Sequence, residues 1–403
     1  MHPGGGDPGK RVDPGGGADP YFQARLKLRR GAREFHLVTP HSVFSSSRID
    51  GGTILLLDHL PQGTPRSFLD LGCGYGALGL PVAAEFPDAR GVLIDRDLLA
   101  VEFTRRNAGL SAITNVEIRG GLGYGDLPAS PSAFDWILCN IPARVGDRVI
   151  AHFISAGMGR LRAGGELRLV IISPLASSVD EAAARYGLER QVVARSARHA
   201  VFAFPAAGPR EAGGGLDVYL RDTIRLDLPE RLVLHRPTDL ADEPHRLTEA
   251  IPLLAGSLPR EEPSRILAFR SGYGLVPALA LERYPRAEVV AQDRDLLATA
   301  FTAWNCEGSR SRLRVEATVD LEPLQRMGPF DLALGELSPP LGVAATLHEL
   351  NQVRSALALG GKALIVGLSK QWKDLERASP ESTGFVIRRR RGPVALLEMR
   401  GAG

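Results

Sequence analysis

Apolar and polar positions along the chain follow two alternating rhythms. Short apolar runs of strand length, "SFLDL", "GVLID", "NVEIR", "FDWILCN" and "ELRLVIIS", are separated by stretches of helical periodicity, "GLPVAAEF", "LLAVEFTRRNAG" and "RVIAHFISAGMGRL". Strand and helix in regular alternation predict a parallel, doubly wound α/β sheet with helices on both faces. Ligands of such sheets lie at the carboxyl ends of the strands, so the chemistry is expected there.

The same rhythm is written twice. "DRDLLA" occurs at Asp95–Ala100 and again at Asp293–Ala298, and its neighbours come along: Ser67–Asn107 lies over Arg265–Asn305 without a gap, with 16 of 41 positions identical. "GYG" at Gly74 falls on "GYG" at Gly272, Phe103 on Phe301 and Asn107 on Asn305. Further on, "FDWIL" at Phe134 matches "FDLAL" at Phe330, and "GGELRLVII" at Gly164 matches "GGKALIVGL" at Gly360. Such self-similarity marks an internal duplication. "PAAGPREAGGG" at Pro205–Gly215 has linker composition, and residues 1–20 are nearly all Gly, Pro, Asp and Ala. The expected organisation is a disordered tail over 1–20, a domain over 21–205, a linker over 206–215 and a second domain over 216–403. Each domain is expected to be Rossmann-like and mostly parallel, with a terminal antiparallel hairpin.

Composition changes this picture little. Hydrophobic residues make up 44%, charged residues 24%, and the net charge is +3, values of an ordinary globular protein that neither demand nor exclude a nucleic acid. No apolar run has the length of a membrane span, and the N-terminus has no apolar signal region, so cytoplasm is the default compartment. Cys73, Cys139 and Cys306 lie too far apart for zinc-ligand spacing and read as buried small hydrophobes. No metal is expected.

The candidate chemistry begins at "FLDLGCGYGALGL", Phe68–Leu80. Gly72, Gly74 and Gly76 follow a strand and open a helix, where absent Cβ atoms permit a tight turn and let backbone N–H groups approach a cofactor. The loop also satisfies a dinucleotide pattern through Gly72, Gly74 and Ala77. Asp70, two residues before the first glycine, suits an ammonium and not a pyrophosphate. Asp95 closes the second strand of the sheet, where its oxygens can accept from ribose hydroxyls of either cofactor. The stretch that separates them is "CNIPAR", Cys139–Arg144.

An acid-led glycine loop, an acid ending the next strand and Asn-x-Pro after the fourth resemble the class I S-adenosylmethionine-dependent methyltransferases. "HSVFSSSRIDGGTILLLDHL", His41–Leu60, is similar to the small-domain type, typified by bacterial ribosomal RNA guanine-N2 enzymes. The resemblance covers about 21–205 well and 216–403 in degraded form. It implies S-adenosyl-L-methionine held by Asp70, Gly72, Gly74, Gly76, Asp95, Arg96, Gly121 and Asn140. It further implies that the Asn140 side-chain oxygen and the Ile141 carbonyl polarise an acceptor amine at a turn stiffened by Pro142. Two departures stand out. Ala143 replaces the aromatic residue that stacks on a base in the family, and Gly121 stands where an acid often reads the adenine amino group.

In the second copy Ala268 and Arg270 replace Asp70 and Gly72, and Glu336 replaces Asn140, although Asp293 survives. A degenerate, non-catalytic domain is expected, packed against the working copy and widening its substrate surface. Its "DRDLLA" has a simple explanation in Asp295 opening a helix over buried Leu296 and Leu297. Two basic stretches, Ala24–Arg33 and Arg388–Arg391, are candidate phosphate contacts, the first read as a hairpin with Leu26 and Leu28 inward. The expected reaction is methylation of an exocyclic amine of an RNA base, with ribosomal RNA as partner. The alternatives are a small-molecule or protein acceptor and, from another class, a non-catalytic scaffold; a nicotinamide oxidoreductase ranks last.

Overall fold

The structure is a computed structural model and describes residues 19–127, 134–206, 214–228, 231–240, 247–337, 341–378 and 384–401. Most of the tail expected over 1–20 and of the linker expected over 206–215 lies outside the described residues.

Two seven-stranded sheets repeat one design. In the leading half, the hairpin β1 (Phe22–Arg30) and β2 (Arg33–Pro40) and the short α1 (Gly51–Leu57) precede β3 (Ser67–Leu71), α2 (Gly79–Glu85), β4 (Arg90–Asp95) and α3 (Leu98–Leu110). Then come β5 (Val116–Gly120), β6 (Phe134–Asn140), α4 (Asp147–Met158), β7 (Leu161–Ile172), α5 (Ala176–Tyr186), β8 (Gln191–Arg195) and β9 (His199–Pro205). The trailing half repeats the order, from hairpin β10 (Leu220–Asp227) and β11 (Arg231–Pro237) through α6 (Leu247–Ala255), β12 (Arg265–Phe269), α7 (Leu275–Arg283), β13 (Glu288–Asp293), α8 (Leu296–Asn305) and β14 (Leu313–Ala317). It closes with α9 (Glu322–Gln325), β15 (Phe330–Glu336), α10 (Gly342–Ala356), β16 (Leu357–Leu368), α11 (Ser369–Ala378), β17 (Phe385–Arg391) and β18 (Val394–Arg400).

Strand order is β5-β4-β3-β6-β7-β9-β8 in the first sheet and β14-β13-β12-β15-β16-β18-β17 in the second. Five strands of each run parallel, and the last two form the expected antiparallel hairpin. The apolar runs explain the geometry: every residue of β3 is buried, as a central strand covered on both faces requires. Asn140 at the end of β6 pairs with Val170, and Glu336 at the end of β15 pairs with Val366, so the two copies share their register.

The repeated hexapeptide lies where the copies meet. Asp97 and Asp295 form an antiparallel bridge; Leu98 N donates to Arg294 O (3.1 Å) and Leu296 N to Arg96 O (3.0 Å). Arg96 Nε stands 3.4 Å from Asp295 Oδ2, and Arg294 Nε 3.3 Å from Asp97 Oδ1. The helix-start role expected for Asp295 is present as well: its side chain accepts from Leu297 N, as that of Asp97 does from Leu99 N. Each hexapeptide therefore caps its own helix and clasps its twin. One buried apolar cluster runs through both halves, from Leu69 and Ile137 to Leu254 and Phe301.

Both basic stretches lie on strands. In β1 Leu28 is buried, Leu26 half-buried, and Arg25, Lys27 and Arg29 face solvent, as the alternation predicts. In β17, at the edge of the second sheet, all four arginines from Arg388 to Arg391 are exposed, and a register shift lies between Ile387 and Arg389. Among the described residues no helix is long and apolar enough to cross a membrane, and no three His, Cys, Asp or Glu side chains cluster as metal ligands would. All three cysteines are buried and free.

Candidate active site

A cavity of about 790 Å³ opens across the carboxyl ends of β4, β3 and β6. Asp70, Gly72, Gly74, Asp95, Arg96, Gly121, Asn140 and Pro142 all line it, so one crevice collects most of the residues singled out in the sequence. Gly76 and Ile141 are not in its wall. Gly76 turns the chain with φ +91°, and a Cβ there would meet Leu80 Cδ1 at 2.6 Å, so this glycine serves loop-to-helix packing. The Ile141 side chain is buried in the core and its N–H donates to Val170 O (2.9 Å).

The glycine loop is built for close approach. Gly72 and Gly74 have φ of +77° and +57°, and a Cβ on either would meet nothing within 4 Å, leaving bare backbone toward the opening. Asp70, 1% exposed, uses Oδ2 to accept from Gly79 N (2.8 Å), whereas its buried Oδ1 has no partner. Burial above all, with the nearby Asp95 carboxylate adding, pushes the Asp70 carboxyl up to about 7. Asp95 accepts from Gly74 N (2.8 Å) and Asp97 N (2.9 Å), one bond on each oxygen. Each oxygen keeps a second lone pair for a ligand. Burial raises this carboxyl too, to about 6.

Asn140 is oriented from behind. Its Nδ2 donates to Asp50 Oδ2 and Thr53 Oγ1, both at 2.9 Å, which commits the amide nitrogen and turns Oδ1 away from that pair. Asp50 is also the N-cap of α1, accepting from Thr53 N (3.1 Å). Asp50 and Thr53 stand in the "IDGGT" of the upstream segment, where one carboxylate can be seen to cap a helix but not to orient an asparagine ninety residues on.

Residues of the trailing half complete the wall: Tyr219, Thr238, Asp239, Asp295 and Gly342. Tyr219 donates its hydroxyl to Leu122 O (2.6 Å) and so holds the loop that follows Gly121. No motif in the sequence pointed to these five as site residues. Phe44, 61% exposed, and Arg144 stand in the cavity wall as well.

The corresponding crevice of the trailing half is closed. Arg270 keeps the loop's left-handed backbone (φ 49°), and its guanidinium forms a buried ion pair with Glu349. What is left is a cavity of about 20 Å³ between Asp293, Arg294 and that pair.

Residues 34–202 match the family described as Methyltransferase small domain. The chain is 35% identical over 140 residues to YbxB of Bacillus subtilis, covering 34% of this chain and 69% of that protein. It is 37% identical over 137 residues to ribosomal RNA large subunit methyltransferase G of Shewanella amazonensis (32% of this chain, 35% of the relative). With ribosomal RNA small subunit methyltransferase C of Pseudomonas entomophila it shares 33% over 150 residues (36% and 44%). The chain thus spans under half the length of these two RNA methyltransferases. The structure of the T. thermophilus 16S rRNA N2 G1207 methyltransferase, with AdoMet and guanosine, superposes over 94% of this chain and 98% of its own at TM-score 0.67 and 19% identity, a likeness of fold. With the acid-led glycine loop and the Asn-x-Pro turn in one crevice, the chain belongs to the methyltransferase small-domain family of S-adenosylmethionine-dependent methyltransferases.

Proposed function

We propose that the protein methylates an exocyclic amine of an RNA base, ribosomal RNA first among candidates, in the crevice of a catalytic unit spanning 21–205. The unit spanning 216–403 serves as a non-catalytic wall. The observation that carries this reading is the tethered Asn140 amide, whose Nδ2 is consumed by Asp50 and Thr53 while Oδ1 remains to accept. The ribosomal RNA activity of the partial relatives supports the substrate class.

When bound, the cofactor supplies a methyl group already activated on a sulfonium. The residues present fit it. Asp70 has an orphaned buried oxygen for the ammonium, Gly72 and Gly74 leave bare backbone for the amino-acid chain, and Asp95 retains lone pairs for the ribose. The remaining work is alignment, which brings the acceptor lone pair behind the methyl carbon. An aromatic amine is a poor nucleophile because its lone pair is delocalised into the ring. Accepting one hydrogen at Asn140 Oδ1 draws it out of plane and localises that pair; the resemblance assigns the second hydrogen to the Ile141 carbonyl, although Ile141 is not in the cavity wall. Pro142 stiffens the turn. Phe44, exposed at the mouth, offers a ring in place of the one missing at Ala143, and base stacking is worth ~1–3 kcal/mol.

Ala143 also favours a second reading, a small-molecule or protein acceptor with no base to stack. Labelled methyl transfer onto total RNA, compared with a metabolite and protein extract, separates the two. Asn140→Ala is expected to keep cofactor affinity and lose turnover; full activity in that variant would refute the amine-polarising role.

A further inference from the structure

The donor is an extended molecule, and the sheet order constrains how it lies. Asn140 ends β6, the glycine loop follows β3, and Asp95 ends β4, the next strand over. With the ribose at Asp95, the adenine lies one strand further, at the loop after β5, where Gly121, Leu122 and Gly123 line the cavity together with Phe153. That loop has little stiffness of its own, since a glycine stands on either side of Leu122 and Gly123 has φ +103°. Hydrogen bonds pin it instead. Gly121 N donates to Asp95 O (3.0 Å) and Leu122 N to Asp126 Oδ2 (2.5 Å), both within the leading half.

A third bond comes from the other copy. Tyr219 ends the 3₁₀ turn Leu216–Tyr219, just ahead of β10, and its hydroxyl donates to Leu122 O (2.6 Å). A Cβ on Gly123 would stand 3.6 Å from that hydroxyl and 3.8 Å from the Phe153 ring, so tyrosine, loop and α4 close one corner of the cavity. Burial pushes the Tyr219 hydroxyl up to about 12, which keeps its proton in place as a donor at neutral pH. The duplication repeats the arrangement in reverse. Tyr21, just ahead of β1, accepts at its backbone oxygen from His41 N (2.8 Å), as Tyr219 does from Thr238 N (2.7 Å). The Tyr21 hydroxyl donates to Asp320 Oδ1 (3.3 Å), on the loop after β14. There Thr318 N donates to Asp293 O (3.1 Å), the counterpart of Gly121 and Asp95. Each copy's opening tyrosine therefore holds the other copy's loop. Tyr219 and its loop line the open crevice, whereas Tyr21 and Asp320 stand outside that wall and the loop they hold borders the closed one.

We infer that Tyr219, contributed by the degenerate copy, positions the Gly121–Gly123 loop to receive the adenine end of the cofactor, so that donor affinity in the leading half depends on a hydroxyl of the trailing half. Tyr219 acts through the loop it holds and is a positioning residue. This inference rests on the reading of the crevice given above.

The test measures calorimetric affinities of the full chain for S-adenosylhomocysteine and for 5′-methylthioadenosine, which keeps the adenosine and sheds the amino-acid end. Tyr219→Phe removes the hydroxyl and keeps the ring. It is expected to weaken both ligands by the same factor, roughly 3- to 10-fold, the worth of one neutral hydrogen bond. Tyr21→Phe removes the twin hydroxyl at the closed crevice and is expected to leave both affinities at their wild-type values. Because each variant loses one hydrogen bond between the copies, the difference between them reads the loop and not overall stability. Wild-type affinity in Tyr219→Phe, an equal loss in Tyr21→Phe, a loss confined to the homocysteine ligand, or a wild type that takes that ligand and not the fragment would each overturn the inference while leaving the cofactor site standing. If the wild type binds neither compound, the reading of the crevice fails too.

Discussion

Cofactor affinity should depend steeply on acidity, through Asp70. Its carboxyl is buried beside a second carboxylate and titrates at about 7 instead of 3.8. That shift is a penalty of roughly 4 kcal/mol on the charged form in the free protein, counting about 1.4 kcal/mol per unit. The native state holds this proton more tightly than the unfolded chain, so the cofactor-free fold should lose stability as pH rises from about 4 to about 7. An ammonium placed against the orphaned Oδ1 favours the charged form. Binding near pH 6 should therefore expel close to one proton, and the affinity should fall about tenfold per unit below 7, on the order of 100-fold by pH 5. Asp95, titrating at about 6, should steepen the loss at the acid end. Above about pH 8 the cofactor's own α-amino group deprotonates, so the informative window is 5 to 7.5. Calorimetry in buffers of different ionisation enthalpy reads affinity and proton release together. Asp70→Asn should bind weakly and keep only the component near 6. An affinity flat from pH 5 to 7.5, or an unchanged profile in Asp70→Asn, would refute the placement of the ammonium at Asp70.

The remaining predictions concern how the site is held. Asp50→Ala or Thr53→Val should leave the Asn140 amide free to rotate, lowering kcat by ~10- to 100-fold with little change in cofactor Kd; an equal loss in both would assign Asp50 a merely structural role. Asp97→Ala should destabilise the fold by ~1–3 kcal/mol in denaturant titration, since it removes both a helix cap and a partner of Arg294, whereas Asp97→Asn should keep the cap and lose less. Arg270→Gly should relieve the left-handed strain yet strand Glu349 in the core, a net loss of ~3–5 kcal/mol that the added change Glu349→Leu should largely recover. Even the double variant should titrate with one equivalent of cofactor, because Ala268 leaves no acid for the ammonium.

Much of this protein is encoded between near neighbours. An apolar strand that runs into Gly72, Gly74 and a helix needs only a dozen consecutive residues to declare itself, and a gap-free match over 41 positions declares the second copy. The fold class and most of the crevice followed from these local rules, because backbone geometry and side-chain periodicity are set within one element and its turn. Gly76 shows their limit: the pattern groups it with its neighbours, but packing against Leu80 turns it away from the cavity.

Tertiary structure alone decided what joins the copies and what finishes the site. "DRDLLA" reads as a helix start in either copy, and only folding brings the two together so that each arginine meets the other's aspartate. Arg96 and Asp239 are 143 residues apart, and no period or spacing relates them. Their contact arises because the turn after each copy's hairpin reaches the other copy's hexapeptide: Arg96 meets Asp239, and Arg294 meets Ser42. Whether each turn carries Asp239 or Ser42 is written in the chain, but that both turns line the one open cavity is a property of the packed pair.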